Sequence, residues 1–284
     1  MSMNGSLERL IKAALKKTYR ILFPVRESEI DKKNARVNEN IRQFLAGRAE
    51  AELPPREEDM RVEVLIPCYN HGRYLEDALR SVYSNGSGFA VTVINDASTD
   101  DTARHIERLR GSHDFKYIEN PENLNQAGSL NKAVADSENN FFVILNADDC
   151  LFPYSIRTVA DLAERHREAR LFGGGCLRFR GESMLRYALC LPTRLSYDPS
   201  MRRFDPEQVA GFTKAQDLDM SMSGSAFFKS AWLEVGGFYP FERRVCSYDD
   251  RDFQLRVASV FPVGVVEEPL AMWRQTSSTG RGEL

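Results

Sequence analysis

The chain has 284 residues, 42% of them hydrophobic and 28% charged, which suits a globular protein with one main domain and leaves room for an extension. A net charge of -3, with no Lys/Arg stripe interleaved with aromatics, sets nucleic acid aside as a partner. The five cysteines are scattered without a C-x-x-C pair, which argues against a disulfide framework and a zinc site and suits a reducing compartment.

The N-terminus lacks the charged, apolar and small-residue succession of an export signal, and no run of about 18 apolar residues occurs. The expectation is a cytoplasmic protein. Residues 1–56 differ in texture from the rest of the chain and end at Leu53-Pro54-Pro55, where two prolines stop helical structure. Within them Leu7, Leu10, Ile11, Ala14, Leu15, Tyr19 and Leu22 recur at helical spacing among Arg9, Lys12, Lys16, Lys17 and Arg20. Such a basic amphipathic helix either packs on its own domain, self-associates with a second chain, or makes a peripheral contact with the cytoplasmic face of a membrane; packing is the favoured reading.

From Arg61 onward strands and helices alternate. Val62 to Ile66 reads as a strand ending at Pro67, Tyr74 to Tyr83 as a helix, and Ala90 to Ile94 as a second strand delivering Asn95-Asp96. Ser98 stands three residues before Asp101, a capping-box spacing that predicts a helix running to Gly111. A strand at Phe115 to Ile118, a polar loop, a small-residue helix at Ala127 to Ala135 and a strand at Phe141 to Leu145 come next. The last is apolar throughout, as a strand covered on both faces must be. A helix is expected at Tyr154 to His166, strands near Leu171 to Arg180, an irregular stretch through Gln216, order again at Gly224 to Phe228, a helix from Ser230, a Gly236-Gly237 turn and a helix from Asp250. Successive β-α units predict a mainly parallel sheet that binds ligands beyond the carboxyl ends of its strands, where Tyr69, Asp96 and Asp148 fall.

Asp148 and Asp149 come just after a buried strand, and two adjacent carboxylates there are costly unless a cation neutralises them. Hard oxygen ligands select Mg²⁺ or Mn²⁺, ions that commonly share few protein carboxylates with substrate phosphates. The plain alternative is a solvated pair at a helix N-terminus. Asp96 is suited to accept from a pyrimidine N–H and Tyr69 to stack on the ring; a turn aspartate and a half-buried tyrosine are the alternatives. A carboxylate at Asp249-Asp250, ahead of the helical Phe253, Leu255 and Val257, is suited to take a proton from an attacking hydroxyl, or else pairs with Arg251 and Arg256. The four histidines share no helical face as ligands and are assigned no chemistry.

Taken together, Pro67-Cys68-Tyr69-Asn70, Asn95 to Asp100, Asn123 to Asn131, Asn146-Ala147-Asp148-Asp149, and Gly236-Gly237-Phe238 with Asp249-Asp250 resemble, in order, the P-x-Y-N, D-D-G-S-x-D, N-x-G, D-x-D, G-G-F and E-D elements of family-2 glycosyltransferases. The resemblance spans Val62 to Thr279. It implies the GT-A fold, a Rossmann-like three-layer α/β sandwich over residues 57–284, with the helical extension at 1–56. It also implies inverting transfer of a sugar from a nucleotide diphosphate, UDP or another pyrimidine nucleotide, to a glycan or lipid-linked acceptor. Pro67, Tyr69, Asn70, Asp96, Asn123, Asn131 and Ala147 would hold the nucleotide, Asp148 and Asp149 the Mn²⁺ or Mg²⁺ ion, and Asp250 with Asp249 would be catalytic, Asp250 as general base.

Four positions depart from the family pattern. Asn146 replaces the first acid of D-x-D; Asn125 stands where glycine is usual, a place asparagine tolerates because it reaches positive φ readily; Leu130 stands where arginine is frequent; Gln275 stands where many members have histidine. A sugar nucleotidyltransferase is disfavoured because Asn70-His71-Gly72-Arg73 is too short for a glycine-rich phosphate loop. A catalytically silent scaffold is disfavoured by the retained Asp148, Asp249 and Asp250.

Overall fold

A computed structural model describes residues 27–48, 54–56, 59–180, 182–209, 218–239 and 249–275. The expected helix at Leu7 to Leu22 lies outside them. Strands β1 (Val62–Cys68), β2 (Ala90–Asn95), β3 (Lys116–Glu119) and β4 (Phe141–Ile144) pair in parallel in the order β3-β2-β1-β4. Helices α2 (Leu75–Tyr83), α3 (Thr102–Arg110) and α4 (Asn125–Asp136) connect them; α1 is Glu27–Gly47.

Beyond β4 the sheet changes character. Strands β5 (Cys150–Leu151), β6 (Leu171–Phe179), β7 (Met201–Phe204), β8 (Ala226–Phe228) and β9 (Val263–Arg274) extend it in the order β4-β8-β6-β9-β5, with β7 also on β9. The β4–β8, β6–β8, β5–β9 and β7–β9 pairs are antiparallel, and β6–β9 is parallel. The expected parallel sheet therefore describes the first half of a mixed nine-stranded one. The stretch read as irregular contains α6 (Glu182–Leu189), β7 and the short α7 (Pro206–Val209), and residues 210–217 lie outside the described ones. The remaining helices are α5 (Ser155–Arg165), α8 (Lys229–Glu234) and α9 (Asp249–Ala258).

Period-two alternation divides the core between the two faces of the sheet. Val64, Ile66, Phe141 and Val143 pack with Leu75, Leu79 and Val82 of α2 and with Val159 and Leu162 of α5. Leu65, Phe142, Ile144 and Phe227 face the other way, onto Leu130 and Val134 of α4 and Phe253 and Val257 of α9. This is the three-layer arrangement. Val37, 1% exposed, joins the second cluster, with Ile41 and Phe44 packed against it, so these three residues of the expected extension share the core.

Candidate active site

The parallel registers create the site. Cys68 lies opposite Asn95, so the chain leaves β1 and β2 side by side at Tyr69 and Asp96, and Leu65 opposite Ile144 brings Asn146 to Asp149 alongside. Three non-glycine residues just past or near these strand ends have positive φ: Asn70 (57°), Ala97 (55°) and Asn125 (61°). Such strain persists only where surrounding bonds hold it. The Asn70 N–H donates to Ser98 Oγ (3.0 Å), and Asn70 Oδ1 accepts from the Thr99 N–H (2.8 Å), tying the β1 loop to the β2 loop.

The capping box expected at Ser98 is corrected. Ser98 Oγ serves Asn70, and the helix start is served instead by Asp100, whose Oδ1 accepts from the Thr102 N–H at 2.9 Å. Local spacing lost to a contact between loops 28 residues apart. Asp96 is buried, and its Oδ1 accepts from Asn120 Nδ2 (3.0 Å) and from the Leu124 N–H (2.8 Å), which fixes the carboxylate against the start of α4. Tyr69, by contrast, is 42% exposed.

The adjacent acids have different surroundings. Asp149 is buried and its carboxylate is satisfied by protein: Oδ2 accepts from Ser223 Oγ (2.6 Å) and from Asn146 Nδ2 (3.4 Å), and Oδ1 accepts from the Arg274 N–H (3.1 Å). Burial, then the neighbouring Asp148 charge, push its pKa up to about 7. Asp149, expected on the metal beside Asp148, thus has both carboxylate oxygens engaged by protein donors that shape the loop. Asp148 receives no hydrogen bond on its carboxylate from the described residues, though its side chain is only 11% exposed; what faces it is His71, with Nδ1 3.8 Å from Oδ1. Arg274 holds the loop from behind, donating through Nε to the Asp148 carbonyl (3.0 Å) and through a terminal nitrogen to Asp77 (2.7 Å). His71, Ser223 and Arg274 were missed in the sequence because each is distant along the chain from the aspartates it serves.

A bridge joins the two halves. Gln126, two residues beyond Leu124, donates through Nε2 to Asn146 Oδ1 (2.6 Å), so hydrogen bonds run from Asp96 through the first turn of α4 to Asn146 and Asp149. Asn146 thus points into this bridge. Asn123 Oδ1 accepts from the Asn125 N–H (3.0 Å) as a turn at the start of α4. Pro67 is the penultimate residue of β1, opposite Ile94, and Ala147 is 1% exposed; neither carries a polar side-chain atom.

Asn131, expected on the nucleotide, has protein partners for its amide. Its Oδ1 accepts from Trp232 Nε1 (2.9 Å) and the Phe238 N–H (2.8 Å), and its Nδ2 donates to the Phe238 carbonyl (2.8 Å), which commits the whole amide to the Gly236-Gly237-Phe238 turn. Asp250 is the second residue of α9; its Oδ1 accepts from the Arg251 N–H (2.8 Å), and burial raises its pKa against the opposing effect of Arg251. Asp249 begins the same helix. A groove of about 480 Å³ lined by Pro54, Pro55, Arg56, Ser230, Leu233 and Glu234 carries none of the expected site residues. It lies at the other end of the sheet, where the Lys229 N–H after β8 meets the Asn140 carbonyl before β4 (2.8 Å).

Residues 63–214 match the family model of glycosyl transferase family 2. The chain belongs to that family. Within it, the chain is 32% identical over 88 residues to poly-beta-1,6-N-acetyl-D-glucosamine synthase of Staphylococcus epidermidis, covering 31% of this chain and 21% of that protein. It is 29% identical over 136 residues to the putative glycosyltransferase EpsE of Bacillus subtilis, covering 47% of this chain and 49% of that one. The matches thus span a fifth to a half of those relatives. The fold resembles S. aureus TarS 1-349 in complex with UDP-GlcNAc (TM-score 0.60, 16% identity, 77% of this chain and 59% of that one). It also resembles the mannosyltransferase PcManGT of Pyrobaculum calidifontis in complex with GDP-Man and Mn²⁺ (TM-score 0.50, 17% identity, 87% and 68%). The GT-A fold expected from the motifs is the one observed.

The residues present fit a divalent cation. A nearly buried carboxylate at Asp148 that no described donor satisfies is unfavourable without positive charge nearby. One carboxylate with space left for phosphate and water is a donor set that Mn²⁺ and Mg²⁺ accept. No helix of the described residues is long and apolar enough to cross a membrane.

Proposed function

We propose that this chain is an inverting glycosyltransferase that moves a sugar from a pyrimidine nucleotide diphosphate to a hydroxyl of a glycan or lipid-linked acceptor. The observation that carries the reading is the hydrogen-bonded bridge from Asp96 through α4 to the Asn146–Asp149 loop, beside the exposed Tyr69 ring. Tyr69 stacks on the base and Asp96, held by Asn120 and Leu124, presents its second oxygen to the base N–H. Asp148 holds the cation, Mn²⁺ or Mg²⁺, with Asp149, Ser223 and Arg274 holding the loop that carries it. When bound, the cation stabilises the diphosphate leaving group as an electrostatic catalyst.

Asp250, with Asp249 beside it at the start of α9, removes the acceptor proton. The acceptor oxygen bonds to the anomeric carbon as that carbon's bond to the phosphate oxygen breaks, the proton passing to Asp250 and the configuration inverting. The raised pKa of this half-buried carboxylate makes it a stronger base than an ordinary aspartate. TarS carries UDP-GlcNAc and PcManGT carries GDP-Man with Mn²⁺ in the structures this fold resembles, which supports a nucleotide-sugar donor without choosing the base.

The test is a panel of nucleotide sugars with Mn²⁺, read by thermal shift and by release of free nucleoside diphosphate. A donor that binds the folded chain raises its unfolding temperature, and Asp250→Asn should abolish turnover while leaving that shift intact. Turnover surviving in the variant would reject Asp250 as base. Pyrophosphate release would indicate a nucleotidyltransferase, and silence of the wild type across the panel would reject the transferase reading.

A further inference from the structure

Asp148, with its side chain 11% exposed and its carboxylate unsatisfied by any described hydrogen-bond donor, would be the cation's single ligand among the expected site residues. We propose that His71, in the loop after β1, ligates the cation together with Asp148. The inference rests on the transferase reading above and assigns chemistry to a residue outside the D-x-D-like motif.

The first argument is proximity. His71 Nδ1 lies 3.8 Å from Asp148 Oδ1. Two donors bound to one ion through bonds of about 2.1 Å lie roughly 3 to 4 Å apart, depending on the angle between them. The pair already has that separation, and Asp148 Oδ1 accepts nothing else from the described residues.

The second argument is presentation. The turn bearing His71 is held on both sides: by the Asn70 N–H on Ser98 Oγ (3.0 Å), by the Gly72 N–H on Thr102 Oγ1 (2.9 Å), and by the His71 carbonyl accepting from the Tyr74 N–H (2.9 Å). Gly72 is required there, since a Cβ would sit 2.5 Å from the Thr102 backbone. The imidazole stands edge-on to the Tyr74 ring, 5.9 Å between centroids, and Tyr74 is itself covered on its face by the Arg274 guanidinium at 4.9 Å. Arg274 occupies the carbonyl side of Asp148, so the carboxylate is left to His71. A site built this way limits how far either ligand moves when the ion arrives.

The third argument is selectivity. An imidazole nitrogen favours Mn²⁺ over Mg²⁺, which prefers oxygen alone. The remaining positions on the ion belong to water and to donor phosphate oxygens.

The test uses the untagged full chain, Mn²⁺ alone and Mn²⁺ with UDP. Free Mn²⁺ is followed by electron paramagnetic resonance in a titration, and bound Mn²⁺ by electron spin-echo modulation from histidine nitrogen, with ¹⁵N-histidine labelling to identify the source. The wild type should show the nitrogen modulation. His71→Ala and His71→Gln should abolish it and weaken Mn²⁺ binding by at least about tenfold, since outer-sphere partners alone are commonly worth that much. The preference for Mn²⁺ over Mg²⁺ should narrow in both variants. Bound Mn²⁺ without nitrogen modulation, or unchanged affinity in both variants, would overturn the assignment while leaving Asp148 and the transferase reading intact. Absence of Mn²⁺ binding by the wild type even with UDP would overturn both.

Discussion

Neighbouring residues of one type take different roles here because their partners differ. Asp149 is enclosed by Ser223, Asn146 and the Arg274 backbone, and burial lifts its pKa to about 7 from the ordinary 3.8. A carboxyl whose folded pKa lies above its unfolded one favours the folded state at low pH, and that contribution is lost as pH rises through the folded value. In chelator, the Asp149 contribution to the wild-type unfolding temperature should therefore fall between about pH 4 and pH 7, and Asp149→Asn should flatten that fall. An identical slope in the variant would mean that Asp149 is ionised throughout. Ala97 is the other residue with a local consequence. Its φ of 55° costs an alanine about 1 to 2 kcal/mol, against about 0.4 to 1 kcal/mol of extra unfolded-state entropy for glycine. Ala97→Gly should raise stability by roughly 0.5 kcal/mol in denaturant titration.

Among elements, α9 depends most on contacts that sequence spacing leaves open. Asp252 and Arg256 form an ion pair at 2.7 Å with side chains 0% and 4% exposed. Arg256 also donates to the carbonyls of Val235 and Gly237, and Asp252 accepts from Asn40 Nδ2 of α1 at 2.7 Å. The pair therefore ties the helix bearing Asp250 to the Gly-Gly turn and to α1. Arg256→Ala strands a buried charge and should cost about 3 to 5 kcal/mol, measured by chemical unfolding; a loss under about 1 kcal/mol would mean that water reaches Asp252. The alternative reading at this helix start pairs Asp249-Asp250 with Arg251 and Arg256; the acid on Arg256 is instead Asp252, four residues before it. The capping box at Ser98 rested on the same local logic and failed, because a hydroxyl 28 residues from its partner is invisible to spacing. β9 was not foreseen: Gly264, the acidic Glu267-Glu268 and Pro269 break its apolar run, and its pairing on both β6 and β5 is what makes it a strand.

At the scale of the molecule, α1 belongs to the same body as the catalytic layers. Val37 lies in the cluster of Phe142, Phe227 and Phe253, and Arg48 pairs with Glu234 of α8 at 2.7 Å. Val37→Asp should lower stability by several kcal/mol, about the cost of an unpaired charge in an apolar contact, and chemical unfolding would reveal it. A change within about 0.5 kcal/mol would mean that α1 is dispensable to the core.

Apolar period and short motifs are local signals, so the strand-helix alternation from Val62 to Ile144, the ligand edge of the parallel strands and the family were all legible in the chain alone. So was Asn125 at positive φ, a constraint that one residue type reveals. Folding was needed to settle that Asp148 stays open while Asp149 is enclosed, that Asn131 serves a turn, and that His71 faces the candidate metal position. Those outcomes depend on partners 74 to 125 residues away in the chain, and hydrogen bonding and burial across such separations exist only once the sheet has set its registers.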